Sequence, residues 1–270
     1  MRFLGLSSTL LLLLASTATA APSSKPNGED INSILPPIVP FNTRSGNSDL
    51  IAKLITAPTQ VDRFMLLDQP GDFVFDFNGN STTSGPRTQG RGGFTLAATA
   101  QTMPALIGNG GAMTVGFLGP CGMNTPHVHN RATELNIIVQ GRLATNFIVE
   151  NGVRPIQNLL SRFQMAVFPQ GAIHMEFNPD CQDAVFVAGF NNPDPGVGQI
   201  AQNFFSLRPD VVSATLGGVP TINGKDIETF RGMIPDNVAL GIDACLKKCG
   251  IKRNEKRSIE EVLAGSMASL

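Results

Sequence analysis

The chain has 270 residues, with 20 Lys and Arg against 21 Asp and Glu and a formal net charge of −1, enough for one large β domain with appendages or for two small domains. Its one concentrated basic run, at 252–257, is diluted by Glu255, so nucleic acid is not an expected partner. Tyr and Trp are absent while Phe occurs 17 times, which removes the usual stacking platforms of sugar and single-strand binders and leaves Phe to build the aromatic core.

In chain order, Met1-Arg2, an apolar run from Leu10 to Leu14, and Ala18-Thr19-Ala20 before Ala21 have the layout of a secretory signal. Residues 1–20 are expected to be that signal peptide, with an apolar part too short to span a bilayer comfortably. The mature protein is then secreted, extracellular or in a cell wall, with no membrane contact after cleavage. Residues 21–61 are read as an N-terminal arm, rich in Pro, Ser, Asn and Gly to about residue 45, and a short helix over 49–56 with Leu50, Ile51, Leu54 and Ile55 on its apolar side, ending before Pro58. The run at 73–77 reads as a strand. Residues 78–93 read as a polar loop with the chain's sequon, Asn80-Ser81-Thr82, an expected glycosylation site.

From Phe94 onward short β-type runs alternate with turn residues, at 94–98, 113–118, 135–139, 143–149, 153–160, 165–168, 173–177 and 184–190. Glu150-Asn151-Gly152 is a hairpin signal between two of them. Strands this short and closely spaced imply an antiparallel sandwich or barrel over 62–207. Helices are expected at 209–216, 225–230 and 237–249 within a C-terminal helical region at 208–251. A charged tail follows at 252–270, where 258–270 forms one more helix or a frayed end.

Cys121, Cys181, Cys245 and Cys249 suit an oxidising compartment and allow three fully paired connectivities, which remain open. A Cys121–Cys181 bridge would staple the segments on either side of the histidines. Cys245 and Cys249, four apart in an expected helix, share a face.

The three histidines of the chain all fall between residues 127 and 174, as His127-x-His129, then Glu134, then His174. Neutral imidazole is the commonest protein ligand for transition metals, so histidines used this sparingly beside one carboxylate read as a coordination site. Residues two apart on a strand share a face, which lets His127 and His129 point into one interior while Val128 faces away. Glu134, five beyond His129, would lie on the opposite face of an unbroken strand, so 130–133 must bend and bring it in from the next strand. His174 follows the turn at Pro169-Gln170-Gly171. Three nitrogens and one carboxylate suit Mn(II) or Fe(II), also accept Zn, Ni or Cu, and are too nitrogen-rich for Ca or Mg. One carboxylate on a divalent ion leaves net positive charge, which attracts a small anionic ligand such as oxalate or superoxide.

Pro126-His127-Val128-His129, Arg131-Ala132-Thr133-Glu134 and Gly141, then Pro169-Gln170-Gly171-Ala172-Ile173-His174 and Asn178, resemble the two motifs of the cupins, in the version found in germins, germin-like proteins and spherulins. The resemblance covers roughly residues 62–207. It implies an all-β fold, a double-stranded β-helix jelly roll with C-terminal α-helices, and one metal, usually manganese, on His127, His129, Glu134 and His174. It also implies homo-oligomers, dimers or hexamers. Two positions depart from the pattern, Cys121 and Phe163 standing where glycines are expected. Asn124 matches one asparagine of the oxalate-oxidising germins, which implies a hydrogen-bond donor beside the metal ligands in the catalytic pocket, whereas the position aligned with a second asparagine is Thr114. Two function classes follow: an exported manganese oxidoreductase acting on superoxide or oxalate, with the missing amide weighing against oxalate, and a non-enzymatic metal-binding structural or storage protein of a cell surface or spore coat.

Overall fold

The computed structural model describes residues 31–38, 44–78, 87–217 and 233–253. The expected signal peptide, the sequon at Asn80, the helix at 225–230 and the end segment at 258–270 lie outside the described residues. Residues 1–38 and 39–270 are separate units, and the described part of the first holds one 3-10 turn, Ile31–Ser33.

The second unit starts with α1, Ser48–Thr56, whose first turn is capped by the Asn47 side chain accepting from the Leu50 amide. Leu50 and Leu54 bury its apolar side against Leu67, Ala105 and Ile107, a small core apart from the main one. Next comes α2, Gln60–Leu66, which the sequence reading did not assign; its signal is the capping box Thr59-x-x-Asp62. Phe73 closes a 3-10 turn begun at Pro70, and 74–78 is not a strand. The alternation at 73–77 has the period of a strand but finds no neighbour to pair with.

Twelve strands follow among the described residues: β1 Thr88–Gly90, β2 Gly93–Ala98, β3 Ala112–Leu118, β4 Gly122–Val128, β5 Glu134–Gln140, β6 Arg142–Ile148, β7 Ile156–Ser161, β8 Met165–Phe168, β9 Ile173–Phe177, β10 Ala184–Phe190, β11 Gly198–Gln199 and β12 Val238–Leu240. They form two antiparallel sheets of six, one ordered β1-β2-β3-β10-β5-β8, the other β11-β4-β9-β6-β7 with β12 added on β4. This is the all-β jelly roll that the resemblance to the cupins implies. The expected loop at 78–93 therefore contains β1, which turns back on β2 through Arg91-Gly92.

Period-2 alternation decides what faces inward. On β5, Glu134, Asn136 and Ile138 are buried while Leu135 and Ile137 face out. Leu118, Ile138, Leu143 and Phe186 belong to the main apolar core. Gly116 makes room for the Phe186 ring, since a Cβ there would lie 2.2 Å from it. On the outer face of the first sheet, Leu135 opposite Val167 and Ile137 opposite Met165 form an apolar patch, with Leu135, Met165 and Val167 45–52% exposed.

The C-terminal part holds α3, Ile200–Phe205, α4, Pro209–Thr215, and α5, Asp243–Lys248. The helix expected over 237–249 is shorter than expected, because Val238–Leu240 pairs as β12 with Asn124, Met123 and Gly122 of β4. Three apolar residues are too few for periodicity to separate strand from helix. The disulfides are Cys121–Cys245 and Cys181–Cys249, not Cys121–Cys181. One turn of α5 separates Cys245 from Cys249, and each sulfur reaches a different partner, one ahead of β4 and one beyond β9.

The glycine departures have a structural expression. Cys121 and Phe163 are the two non-glycine residues at positive φ among the described ones, at 56° and 64°. Side chains pay for that backbone region in steric strain, which is why glycine is the residue expected there. Cys121 is buried and bridged, whereas Phe163 is 68% exposed.

Candidate metal centre

His127 lies on β4 directly opposite His174 on β9. A register shift between Asn124 and His127 lets both line the interior cavity although they are three apart. His129 sits just beyond the end of β4, and 130–133 bends so that Glu134 opens β5 between β8 and β10, as its offset requires. The Gly171 amide donates to the His129 carbonyl at 3.0 Å, tying the turn that launches His174 to the other histidine segment. His127, His129, Glu134 and His174 are all buried, and one ligand atom from each lies within 4.8 Å of the others. Every ligand expected from the sequence is thus brought to one place.

Each imidazole is oriented by its own carbonyl. Nδ1 of His127 and of His174 lies 2.9 Å from the Thr125 and Ala172 oxygens, and Nδ1 of His129 faces the Gly196 oxygen. A carbonyl only accepts, so each Nδ1 carries a proton and Nε2 is the nitrogen that each ring turns inward. Gly196 has φ 69°, and a Cβ there would meet the Arg131 guanidinium at 2.9 Å, so the carbonyl that holds His129 is delivered by a residue that needs to be glycine. Phe168 stacks on His174 at 4.4 Å and Phe190 packs edge-on against His129 at 4.6 Å, fixing the rings from the apolar side.

With Nδ1 protonated, each inward contact needs a proton or a metal ion between its two atoms. Nε2 of His129 and of His174 each lie 3.0 Å from Oε2 of Glu134. Two lone pairs against a carboxylate oxygen repel unless a proton or a metal ion lies between them. Protons do this in part: burial works against charge on His174, but its bond to Glu134, with the charge of Glu176, raises it to about 8. Burial alone would raise Glu134, yet bonds from His129 and His174 hold it far below the ordinary carboxylate range. His127, without a carboxylate partner, is pushed down to about 3 by burial and by the neighbouring His174, which leaves it a neutral nitrogen donor. A divalent ion would replace these protons with one centre of charge, and the donor set of three nitrogens and one carboxylate oxygen fits such an ion.

Two residues that bond to the site were not singled out in the sequence, Asn136 and Glu176. Both lie two beyond a ligand, Glu134 and His174, so strand periodicity was the available signal. The Asn136 amide donates to Glu134 Oε1 at 2.9 Å and to Glu176 Oε1 at 3.2 Å, and Asn124 Nδ2 donates to Glu176 Oε2 at 3.0 Å. Burial, then the charge of Glu134, raises Glu176 to about 8. Asn124 does line the cavity in front of the histidines, but one amide hydrogen is engaged by Glu176. Thr114 lines the same cavity, of about 250 Å³.

Residues 79–218 match the cupin family. The chain is a cupin. Spherulin-1A of Physarum polycephalum is 43% identical over 206 residues, covering 76% of this chain and 81% of that protein. Putative germin-like protein 3-2 of Oryza sativa subsp. japonica is 30% identical over 164 residues, 61% of this chain and 72% of its own. Among solved structures, recombinant oxalate oxidase in complex with glycolate superposes with a TM-score of 0.53 at 22% identity, over 62% of this cupin and 84% of that chain, a likeness of fold alone. The chain is therefore a cupin of the spherulin and germin-like type, with the resemblance read in its two motifs carried across the whole β domain.

Proposed function

We propose that this cupin is an exported manganese protein in which His127, His129, Glu134 and His174 hold one Mn(II), with Fe(II) as the next best fit, and that it acts as an oxidoreductase on a small anion bound at the positions the four ligands leave open. The observation that carries this reading is the pair of Nε2 contacts on Glu134 Oε2, each 3.0 Å, which require positive charge between them. When bound, the ion supplies Lewis acidity and one-electron redox cycling. The chain's own part is to hold three neutral imidazoles by carbonyl hydrogen bonds, to keep Glu134 ionised, and to exclude water with Phe168 and Phe190. Asn124 is proposed as the neighbouring donor to a bound anion through its remaining amide hydrogen.

Export is supported by the signal-like residues 1–20 and by the two disulfides among the described residues. A homo-oligomer, dimer or hexamer, is supported by the exposed apolar patch of Leu135, Met165 and Val167, larger side chains than a solvent face usually carries. Light scattering on the mature protein tests it, and a monomer would count against it.

The identity to spherulin-1A favours a second reading, a non-enzymatic metal-binding coat or cell-surface protein. Elemental analysis of protein purified without added metal, with superoxide dismutation and oxalate consumption measured on the same sample, separates the two. The enzyme reading expects stoichiometric Mn and turnover of one anion, with metal affinity and turnover falling more than about 100-fold in His174→Ala while the fold is kept. Stoichiometric Mn with no turnover selects the structural reading.

A further inference from the structure

The cavity extends well past the ligand atoms. At about 30 Å³ per water-sized group, its roughly 250 Å³ has room for about eight, so oxalate or superoxide would leave most of it unfilled. Among the described residues that line it, none is Lys or Arg, and the one carboxylate besides Glu134 is Asp194, paired with Arg131 at 2.8 Å. A divalent ion with Glu134 balances one further negative charge. A second carboxylate away from the metal would be desolvated with no counter-charge.

The wall offers neutral hydrogen-bonding groups instead. Thr95 on β2 and Thr114 on β3 both line the cavity and are half-buried, and neither hydroxyl has a partner among the described residues. Their strands are neighbours, with Thr95 opposite Gly116 and Thr114 opposite Ala97, so the two hydroxyls stand on one inward face. Gln101 and Asn237 add amides. A threonine hydroxyl both donates and accepts, which matches a ligand hydroxyl and is wasted on a bare carboxylate. Ala188 and Phe190 give the apolar side against which C–H groups can lie.

Resting on the metal reading above, we propose that the pocket takes a singly charged polyhydroxylated acid, with its carboxylate and adjacent hydroxyl at the metal and an uncharged hydroxyl-bearing tail along Thr95 and Thr114.

The test titrates the Mn(II)-loaded mature protein with glycolate, which has the acid and hydroxyl but no tail, with gluconate, which adds the tail, and with oxalate, reading displacement of metal-bound water by proton relaxation. Gluconate is expected to bind at least about tenfold more tightly than glycolate, the worth of one or two hydrogen bonds. The pair Thr95→Val and Thr114→Val, which keeps shape and β-branching, is expected to erase most of that advantage while leaving Mn content unchanged. Equal binding of glycolate and gluconate, tighter binding of oxalate than of gluconate, or an advantage that survives both substitutions overturns the inference alone. Failure to load Mn(II) at all overturns the metal reading and this inference with it.

Discussion

The two ends of β4 are secured by different physics. At one end, His127 and His129 are each aimed by a single hydrogen bond to a carbonyl, and His129 lies 3.0 Å from the Glu134 carboxylate, so the arrangement is held by directed, non-covalent contacts. At the other end, about 20 Å away by strand rise, Cys121 is bridged to Cys245 while Cys181 is bridged to Cys249, and the covalent bonds hold α5 whatever the pH. The two ends communicate through β12, which pairs with 122–124 and whose preceding residue Asn237 accepts from the Thr125 amide and lines the metal cavity. A site proposed to release and regain a ligand would need the adjustable chemistry, and the wall that shapes it would profit from the fixed one.

Breaking the covalent end has the largest expected effect. The bridges close loops with sequence separations of 124 and 68, and the chain-entropy relation assigns each about 4–5 kcal/mol when removed alone. The variant Cys121→Ala with Cys245→Ala, followed by urea unfolding, should lose stability of this order and also gain protease sensitivity at 237–253. Unchanged stability would show that β12 and α5 dock without the bridge.

The adjustable end is tested by pH. In the metal-free protein His174 keeps its proton up to about 8 because of Glu134, and a metal must displace it. The raised value means that the protonated contact contributes stability fully below the ordinary histidine range and loses it as pH rises through about 8. Metal affinity runs the other way. Mn(II) affinity should fall by about tenfold per pH unit below 8 and level off above it, read by calorimetry across pH 6 to 9, the slope being that of one displaced proton. A flat profile would contradict the His174–Glu134 pairing.

The smallest expected effect sharpens the comparison at a position belonging to neither end. Phe163 holds φ 64° with an exposed ring, so Phe163→Gly should stabilise the protein by about 1 kcal/mol through relief of backbone strain, measured by thermal unfolding. Destabilisation would mean that the ring covers something, most simply a second copy of the chain.

The coordination residues were legible because spacing alone carries them: two apart on one strand for His127 and His129, an odd offset with a bend for Glu134, a turn ahead of His174. The strands at 165–168, 173–177 and 184–190 were equally plain, their boundaries coinciding with β8, β9 and β10. What was missed was set by contacts distant in sequence. Val238–Leu240 is a strand only because β4 has a free edge there, 73–77 is not one because it lacks such an edge, and the cysteine pairing depends on where α5 docks. Asn136 and Glu176 were within reach of the same periodicity that placed the ligands, but an amide and a second carboxyl gain meaning only once the buried face is known.

The central claim, that four side chains from separate strands share one divalent ion, is tested most directly by anomalous diffraction at the Mn edge from crystals of protein purified without added metal. Convergence on one ion predicts a single anomalous peak within bonding distance of Nε2 of His127, His129 and His174 and of a Glu134 oxygen. A peak elsewhere, or clear density for the four side chains with none between them after Mn(II) soaking, would contradict it.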